Sequence, residues 1–384
     1  MDYLKSLLKR NKIVKNYRVE KWKRFSRRMM FSAEEVAYLE NAPEQIGAKI
    51  YLHIKSNSNV SDDIMADLDR LLATSYLADT GAITDALKTD MLFWWFAYGF
   101  SFNEYLCYRF LEKTKAERLK FFSDRDSVAF GYDMNDINDM AVFGDKMNTY
   151  NKFRPFFGRE AVSLASRSDY DVYAEYIAKH RQFVKKNVYK ACGQSVELID
   201  ISADKRSEKE LFDYLISEGK VILEEVVEQG KQTAIFNTSS VNTIRCITLK
   251  TRTEMLVPYC FMKTGRKGSF IDNGRSGGLL VGIDPQTGIL GTDGVDENGI
   301  RYTAHPDSKV QFKGYQLPDW NSAISMCIKM AEEVSSVRMI GWDIAYTDQG
   351  WIVIEGNALT EVIGPQCTWL RGIRDDIERF YKLV

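Results

Sequence analysis

The sequence predicts an α+β protein, with a mainly helical region over residues 1–140 followed by strands joined as antiparallel hairpins. Up to about residue 140, apolar residues recur at helical spacing. After about residue 180 they fall into short runs rich in β-branched and aromatic residues, each closed by a turn signal. Near the carboxyl end, residues 341–357 alternate as a strand pair around a glycine-containing loop. At 384 residues the chain is longer than one ordinary domain, so two or three packed units are expected.

Ser32-Ala-Glu-Glu35 has the spacing of a capping box, in which hydroxyl and carboxylate satisfy each other's backbone amides at a helix start. Ser61-Asp-Asp-Ile opens a second helix through Leu68, Leu71, Leu72 and Tyr76, and 102–122 reads as a third with a polar interruption at 113–118. The apolar run 91–100 is too short to span a bilayer and reads as a buried helix. Strands are predicted over 183–186, 196–201, 221–227, 243–250, 256–262 and 279–283, with a turn at Asp284-Pro-Gln-Thr-Gly288. Helices are expected over 320–337 and 369–381.

Hydrophobic residues at 45% and charged residues at 27% support a large core and exclude wholesale disorder. A net charge of −1 excludes the chain as a whole from the strongly basic nucleic-acid binders. Residues 1–28 nevertheless carry eleven Lys and Arg against Asp2 and Glu20, a local +9 that leaves about −10 for the remainder. That segment suits peripheral contact with an anionic membrane surface, or else a solvated helix. Six scattered cysteines without a C-x-x-C pair fit a reducing compartment, and no signal-peptide pattern opens the chain, so a cytoplasmic protein is expected.

The most informative segment is Gly341-Trp-Asp-Ile-Ala-Tyr-Thr-Asp-Gln-Gly-Trp-Ile-Val-Ile-Glu-Gly-Asn357. A three-residue loop, Asp348-Gln-Gly350, would pair Thr347 with Trp351 and set Asp343 opposite Glu355. Alternation then places Trp342, Ile344, Tyr346, Ile352 and Ile354 on a core face, and Asp343, Glu355 and Asn357 on the other with Trp351 and Val353. Two carboxylates directly across a strand pair repel unless a positive charge lies between them, and Mg²⁺ suits such hard oxygen ligands. The alternative is a solvent-facing hairpin whose acids keep it soluble.

G-W-D-I-A followed by I-V-I-E-G-N resembles the metal-binding end of ATP-grasp enzymes, in particular the sugar-transfer-associated ATP-grasp family. The resemblance runs from about residue 102 to the C-terminus. It implies an ATP-grasp fold, two α+β subdomains sandwiching ATP, with a lid subdomain at about 150–230 and a metal and substrate subdomain at about 231–384 of a domain beginning near 141. It also implies Mg²⁺ held against ATP phosphates by Asp343, Glu355 and Asn357. Lys186 matches the family lysine that reaches phosphate, Gly193 one glycine of its flap, and Lys146 a further phosphate contact. The flap departs from the pattern at Asn187, Gln194 and Ser195. Val221-Ile-Leu-Glu-Glu-Val-Val-Glu resembles the strand bordering adenine, with the backbone of Glu224, Glu225 and Val227 on the purine and Glu228 on the ribose; read from residues alone it is equally an edge strand.

Asn242-Thr-Ile-Arg245 matches a family strand, which implies a nucleotide-side place for Asn242. Arg245, in an otherwise apolar strand, needs an anion, either a transferring phosphate or a core carboxylate. The family also has a D-N…G-G segment matching Asp272, Asn273 and Gly277-Gly278. Arg266 and Arg275 offer positive charge to a carboxylate or sugar phosphate. His305 would orient substrate, or serve as a core or capping histidine, and Gln366 and Arg371 follow the metal hairpin closely enough to line the same cleft.

The resemblance implies a carboxylate–amine ligase working through an acyl phosphate, with Arg245 and Lys186 stabilising the developing charge. Its association with sugar transfer implies a sugar or sugar-nucleotide substrate in bacterial surface polysaccharide. The alternatives are a small-molecule kinase and a non-catalytic nucleotide-binding scaffold.

Overall fold

The computed structural model describes residues 30–58, 60, 63–188, 196–266, 268–270, 272 and 277–384. The basic segment 1–28, the Ser61-Asp62 helix opening, Gly193, Asn273 and Arg275 lie outside these residues.

Among the described residues the first helix begins where the capping box placed it. Ser32 accepts from the Glu35 amide at 3.2 Å and donates its own amide to the Glu35 carboxylate at 2.8 Å, opening Ala33–Asn41. The apolar run lies in Asp85–Tyr98, which buries Met91, Leu92, Phe93, Trp94 and Phe96 and ends at left-handed Gly99. The expected helix over 102–122 is instead broken into Phe102–Cys107, a short 3-10 turn and Lys115–Arg118. Ser101 and Glu104, then Thr114 and Glu117, form capping boxes that each start a new helix, which divides the segment. Among the described residues no helix is long and apolar enough to cross a membrane.

Among the described residues eleven strands follow: β1 (Ala161–Leu164), β2 (Gln182–Asn187), β3 (Val196–Asp200), β4 (Val221–Glu225), β5 (Thr243–Lys250), β6 (Met255–Thr264), β7 (Leu279–Ile283), β8 (Gly294–Val295), β9 (Arg301–Tyr302), β10 (Met339–Thr347) and β11 (Gly350–Asn357). They form two antiparallel sheets, a small one ordered β1-β4-β2-β3 and a large one ordered β11-β10-β5-β6-β7-β8-β9. The fold is α+β, with the helical region ahead of the sheets. Strand β1 escapes sequence reading because four residues, Ala-Val-Ser-Leu, carry too short an alternation. The helix expected over 320–337 stops at Glu332, and the one expected over 369–381 starts only at Arg374 and runs to Leu383, after a separate helix Ile363–Trp369 that ends at left-handed Leu370.

The small sheet covers its outer face with apolar side chains: Phe183, Ile199, Val221 and Leu223 pack against Tyr173, Tyr176, Leu211 and Phe212. On the large sheet, Ile244, Cys246, Met262, Val281, Trp342 and Val353 pack beneath Phe153 and the helix Trp320–Glu332. Its opposite face is apolar at one end, where Ile247, Leu249, Tyr259 and Met339 meet Ile373, Ile377 and Phe380. The other end of that face is polar.

Arg159 joins the two sheets. Its Nε and Nη2 donate to Glu224 of β4 at 2.9 and 2.6 Å. Nη1 donates to the carbonyls of Phe157 at 3.2 Å and Val353 at 2.6 Å, and Nη2 also donates to the Ile354 carbonyl at 3.1 Å. Lys186 approaches the same Glu224 oxygen at 3.0 Å. Burial pushes the Glu224 carboxyl upward, but the Arg159 and Lys186 charges outweigh it and hold the group at about 2.

A carboxyl so depressed stabilises the fold fully above its ordinary value of 4.5, and that contribution fades as pH falls towards about 2. Glu224→Gln should therefore destabilise by about 3–5 kcal/mol at neutral pH, since it leaves buried cations uncompensated. Denaturant unfolding should show the gap to wild type narrowing below pH 4.5; a gap unchanged down to pH 3 would refute this account.

Candidate active site

The β10–β11 hairpin places Asp343 opposite Glu355 and Gly341 opposite Asn357, so the three polar side chains share one face. The route to that register differs from the expected one. Thr347 pairs with Gly350, Tyr346 with Trp351 and Ile344 with Val353, and a bulge at Ile354 then shifts the register before Asp343 meets Glu355. Asp348-Gln349 is thus a two-residue loop beside Gly350, whose φ of +110° suits only glycine. One extra residue reverses the faces on either side of a bulge. Trp351 and Val353 accordingly join Trp342 and Ile344 in the core, and Ile352 and Ile354 are only partly buried, contrary to the simple alternation.

Asp343 meets positive charge from the chain itself, on the side away from Glu355. Arg245, directly across β5 from Asp343, donates from Nε at 2.6 Å and Nη2 at 2.8 Å to its two oxygens. Lys263, on β6, stands 3.0 Å from Asp343 Oδ2. Burial alone would raise the Asp343 carboxyl, yet Arg245 and Lys263 draw it down to about 2. Arg245 Nη1 also reaches the Thr360 hydroxyl at 3.2 Å. A side chain at Gly341 would strike that hydroxyl, so glycine there lets Thr360 close over the arginine. Asp272 completes the cluster by accepting from the Thr243 amide at 3.1 Å and its hydroxyl at 2.5 Å, and burial raises its carboxyl against the pull of Lys263.

This donor set fits a hard divalent cation. Asp343 and Glu355 supply carboxylate oxygens, and the buried Asn357 Nδ2 has no hydrogen-bond partner among the described residues. A half-turn of that amide puts its oxygen in the vacant position as a third ligand. Among the described residues no group of three His, Cys, Asp or Glu could hold a metal, so the amide is needed to complete the set.

The facing wall belongs to the small sheet. Lys186, Ile222, Val184 and Glu224 share its inner face through the β2–β4 register, with Lys186 paired to Glu224. The Glu224 side chain serves this ion pair while its backbone lies in the β4 ladder between β1 and β2, which corrects its expected place on the purine. Glu225 likewise pairs with Phe183, and its amide donates to the Glu160 carbonyl at 3.0 Å. Val227 and Glu228 lie beyond the strand with no hydrogen bonds among the described residues, leaving their backbone open to a ligand edge. Lys146 occupies the first turn of Lys146–Phe157, whose cap Asp145 is tied to Lys220 at 2.7 Å.

Other expected site residues prove structural. Asn242 is fully buried, its amide donating to the Gln229 side chain at 2.9 Å and the Thr233 and Asn237 carbonyls at 2.9 and 2.8 Å, while its oxygen accepts from Thr264 at 2.6 Å. It fastens the loop after β4, and its complete burial keeps it out of reach of a nucleotide. His305 is also fully buried; Nε2 donates to the Gly265 carbonyl at 2.8 Å and Nδ1 accepts from the Asp307 amide at 3.2 Å, and burial lowers its pKa. Arg266 is engaged by Asp296 at 3.0 Å and the Tyr302 hydroxyl at 2.7 Å. Gln366 is sealed inside, bonded to both backbone groups of Phe122 and to Tyr108, and Arg371 lies exposed against Asp376 at 2.5 Å. Each of these satisfies a buried polar group or a surface charge locally, which sequence proximity to the hairpin does not reveal.

Three residues of the site were not singled out from sequence: Arg159, Lys263 and Thr360. Lys263 had a usable signal, a lysine after the apolar run Cys260-Phe-Met262 that the β5–β6 register sets beside Thr243 on the Arg245 face. Arg159 had none.

Among solved structures, the chain resembles the ATP-grasp ligase PsnB complexed with a minimal precursor, at 10% identity and a TM-score of 0.41 over 65% of this chain and 64% of that one. It also resembles the D-alanine–D-alanine ligase from Coxiella burnetii, at 12% identity and 0.38 over 65% and 59%, and the VanG D-Ala:D-Ser ligase from Enterococcus faecalis, at 11% and 0.42 over 65% and 64%. The chain thus spans just under two thirds of the length of these proteins. No curated protein matches it. Residues 130–382 match the sugar-transfer associated ATP-grasp family, and on that match, which covers well over half its length, the chain belongs to this family.

Proposed function

We propose that the protein is a Mg·ATP-dependent ligase that activates a carboxylate and joins it to an amine. The observation that carries this reading is the convergence of Asp343, Glu355 and the unpartnered Asn357 amide on one sheet face, with Lys186 on the sheet that Arg159 holds beside it. Asp343, Glu355 and Asn357 would hold Mg²⁺, and the ion would draw electron density from the γ-phosphate. Lys186 and Arg245 would neutralise charge on the transferring group, and the open backbone at 227–228 would meet the adenine edge.

A carboxylate oxygen of the substrate attacks the γ-phosphorus and ADP leaves, giving an acyl phosphate. The amine nitrogen then attacks the acyl carbon; phosphate departs and the nitrogen loses its proton. The family's description as sugar-transfer associated points to a sugar or sugar nucleotide as one substrate, and surface polysaccharide assembly is the setting we propose for it. The charge of residues 1–28 suits docking on the anionic membrane face where such glycans are built.

Mg·ATP at 100 times its Kd should raise stability by about 2.7 kcal/mol, read as a thermal shift that EDTA abolishes. ADP release should require both an acid and an amine; a phosphorylated product formed without amine would instead identify a kinase. Glu355→Gln should lower kcat by about 100-fold or more while leaving the melting temperature of the free protein near wild type. Unchanged kcat in that variant would remove Glu355 from the metal site.

A further inference from the structure

We infer that Arg245 and Lys263 are internal counter-ions that keep Asp343 from binding metal until a nucleotide draws them away, which makes metal and nucleotide binding mutually dependent. The inference rests on the Mg·ATP reading above and concerns the order in which that site fills.

Asp343 is already engaged. A carboxylate offers about four lone-pair positions, and three donors take theirs here: Arg245 Nε at 2.6 Å, Arg245 Nη2 at 2.8 Å and Lys263 Nζ at 3.0 Å. The side chains are almost shut off from water, at 7% exposure for Asp343, 11% for Arg245 and 16% for Lys263, so solvent screens the pairing weakly. The two cations Arg245 and Lys263 converge on Asp343, the carboxylate they contact directly. A bare divalent ion claiming Asp343 would have to displace a bidentate guanidinium and bring a further positive charge beside two nearly buried cations, which is costly.

A triphosphate changes the balance because it brings several negative charges of its own. Lys263 has the freer side chain: Asp343 is its one carboxylate partner within ion-pairing distance among the described residues, whereas Arg245 is also held by Thr360. When phosphate oxygens accept the lysine and then the arginine, Asp343 turns its lone pairs to the metal. Each ligand thus removes an obstacle to the other, and the coupling is reciprocal. Lys263 is a positioning residue in this scheme, acting through Asp343.

The probe is Mn²⁺, followed by electron paramagnetic resonance of the free ion with the full chain. Wild type should bind Mn²⁺ weakly alone, and Lys263→Met should bind it on the order of tenfold more tightly without nucleotide. Lys263→Arg should restore weak binding. Equal affinities in wild type and Lys263→Met would overturn the inference. Should Lys263→Met not fold, wild type alone decides by thermal shift. Mn²⁺ with a non-hydrolysable ATP analogue should stabilise by more than the two separate shifts combined, and a shift from Mn²⁺ alone as large as the joint one would overturn the proposal. An analogue that gives no shift under any metal condition would defeat the Mg·ATP reading itself, a distinct outcome.

Discussion

Arg159 lies buried where the two sheets meet, and all five of its N–H donors are used: two on Glu224, one on the Phe157 carbonyl, and one each on the carbonyls of Val353 and Ile354. Those last two carbonyls flank the bulge that aligns Asp343 with Glu355. A single guanidinium therefore fixes the distance between the lysine wall and the carboxylate wall, and it steadies the irregular stretch of β11 on which the carboxylate register depends. Glu224 closes the link by accepting Lys186 as well, so the position of that lysine and the spacing of the sheets are set by one buried ion cluster. Without it, the inner face of the small sheet would have no defined relation to the β10–β11 hairpin.

Most of the secondary structure was legible because it depends on local pattern. The strand Thr243–Lys250 and the strand Leu279–Ile283 coincide with their β-rich runs, and Ser32 with Glu35 marked a helix start through chemistry confined to four residues. The candidate site was legible in part for the same reason, since Asp343, Glu355 and Asn357 lie on adjacent strands joined by a tight turn. What escaped were relations between distant segments. The bulge arises within β11 and reversed the predicted faces of Trp351 to Ile354. His305 read as a site residue from its resemblance to the family, and Gln366 from following the β10–β11 hairpin; their burial is decided by Gly265 and Phe122, 40 and 244 positions away.

Arg245 illustrates how both readings of one residue can hold at different moments. The cost of burying an arginine pointed to an anion, and the structure supplies one in Asp343. The same need makes the arginine available to phosphate, because exchanging one anion for another alters the local charge less than losing both. The pairing seen in the free chain is compatible with a later role towards the transferring group.

The amide of Gln366 has one further implication. It stitches the helix Ile363–Trp369 to the backbone of Phe122 and the hydroxyl of Tyr108, and neighbouring Cys367 belongs to the aromatic core of the helical region. The family match covers residues 130–382, yet a fragment cut at 130 would strip this helix of its cover and expose a wedge of unsatisfied polar atoms and bare aromatic surface. The amino-terminal helices thus form part of the interior of the matched region, and any dissection of the protein into modules must keep them attached.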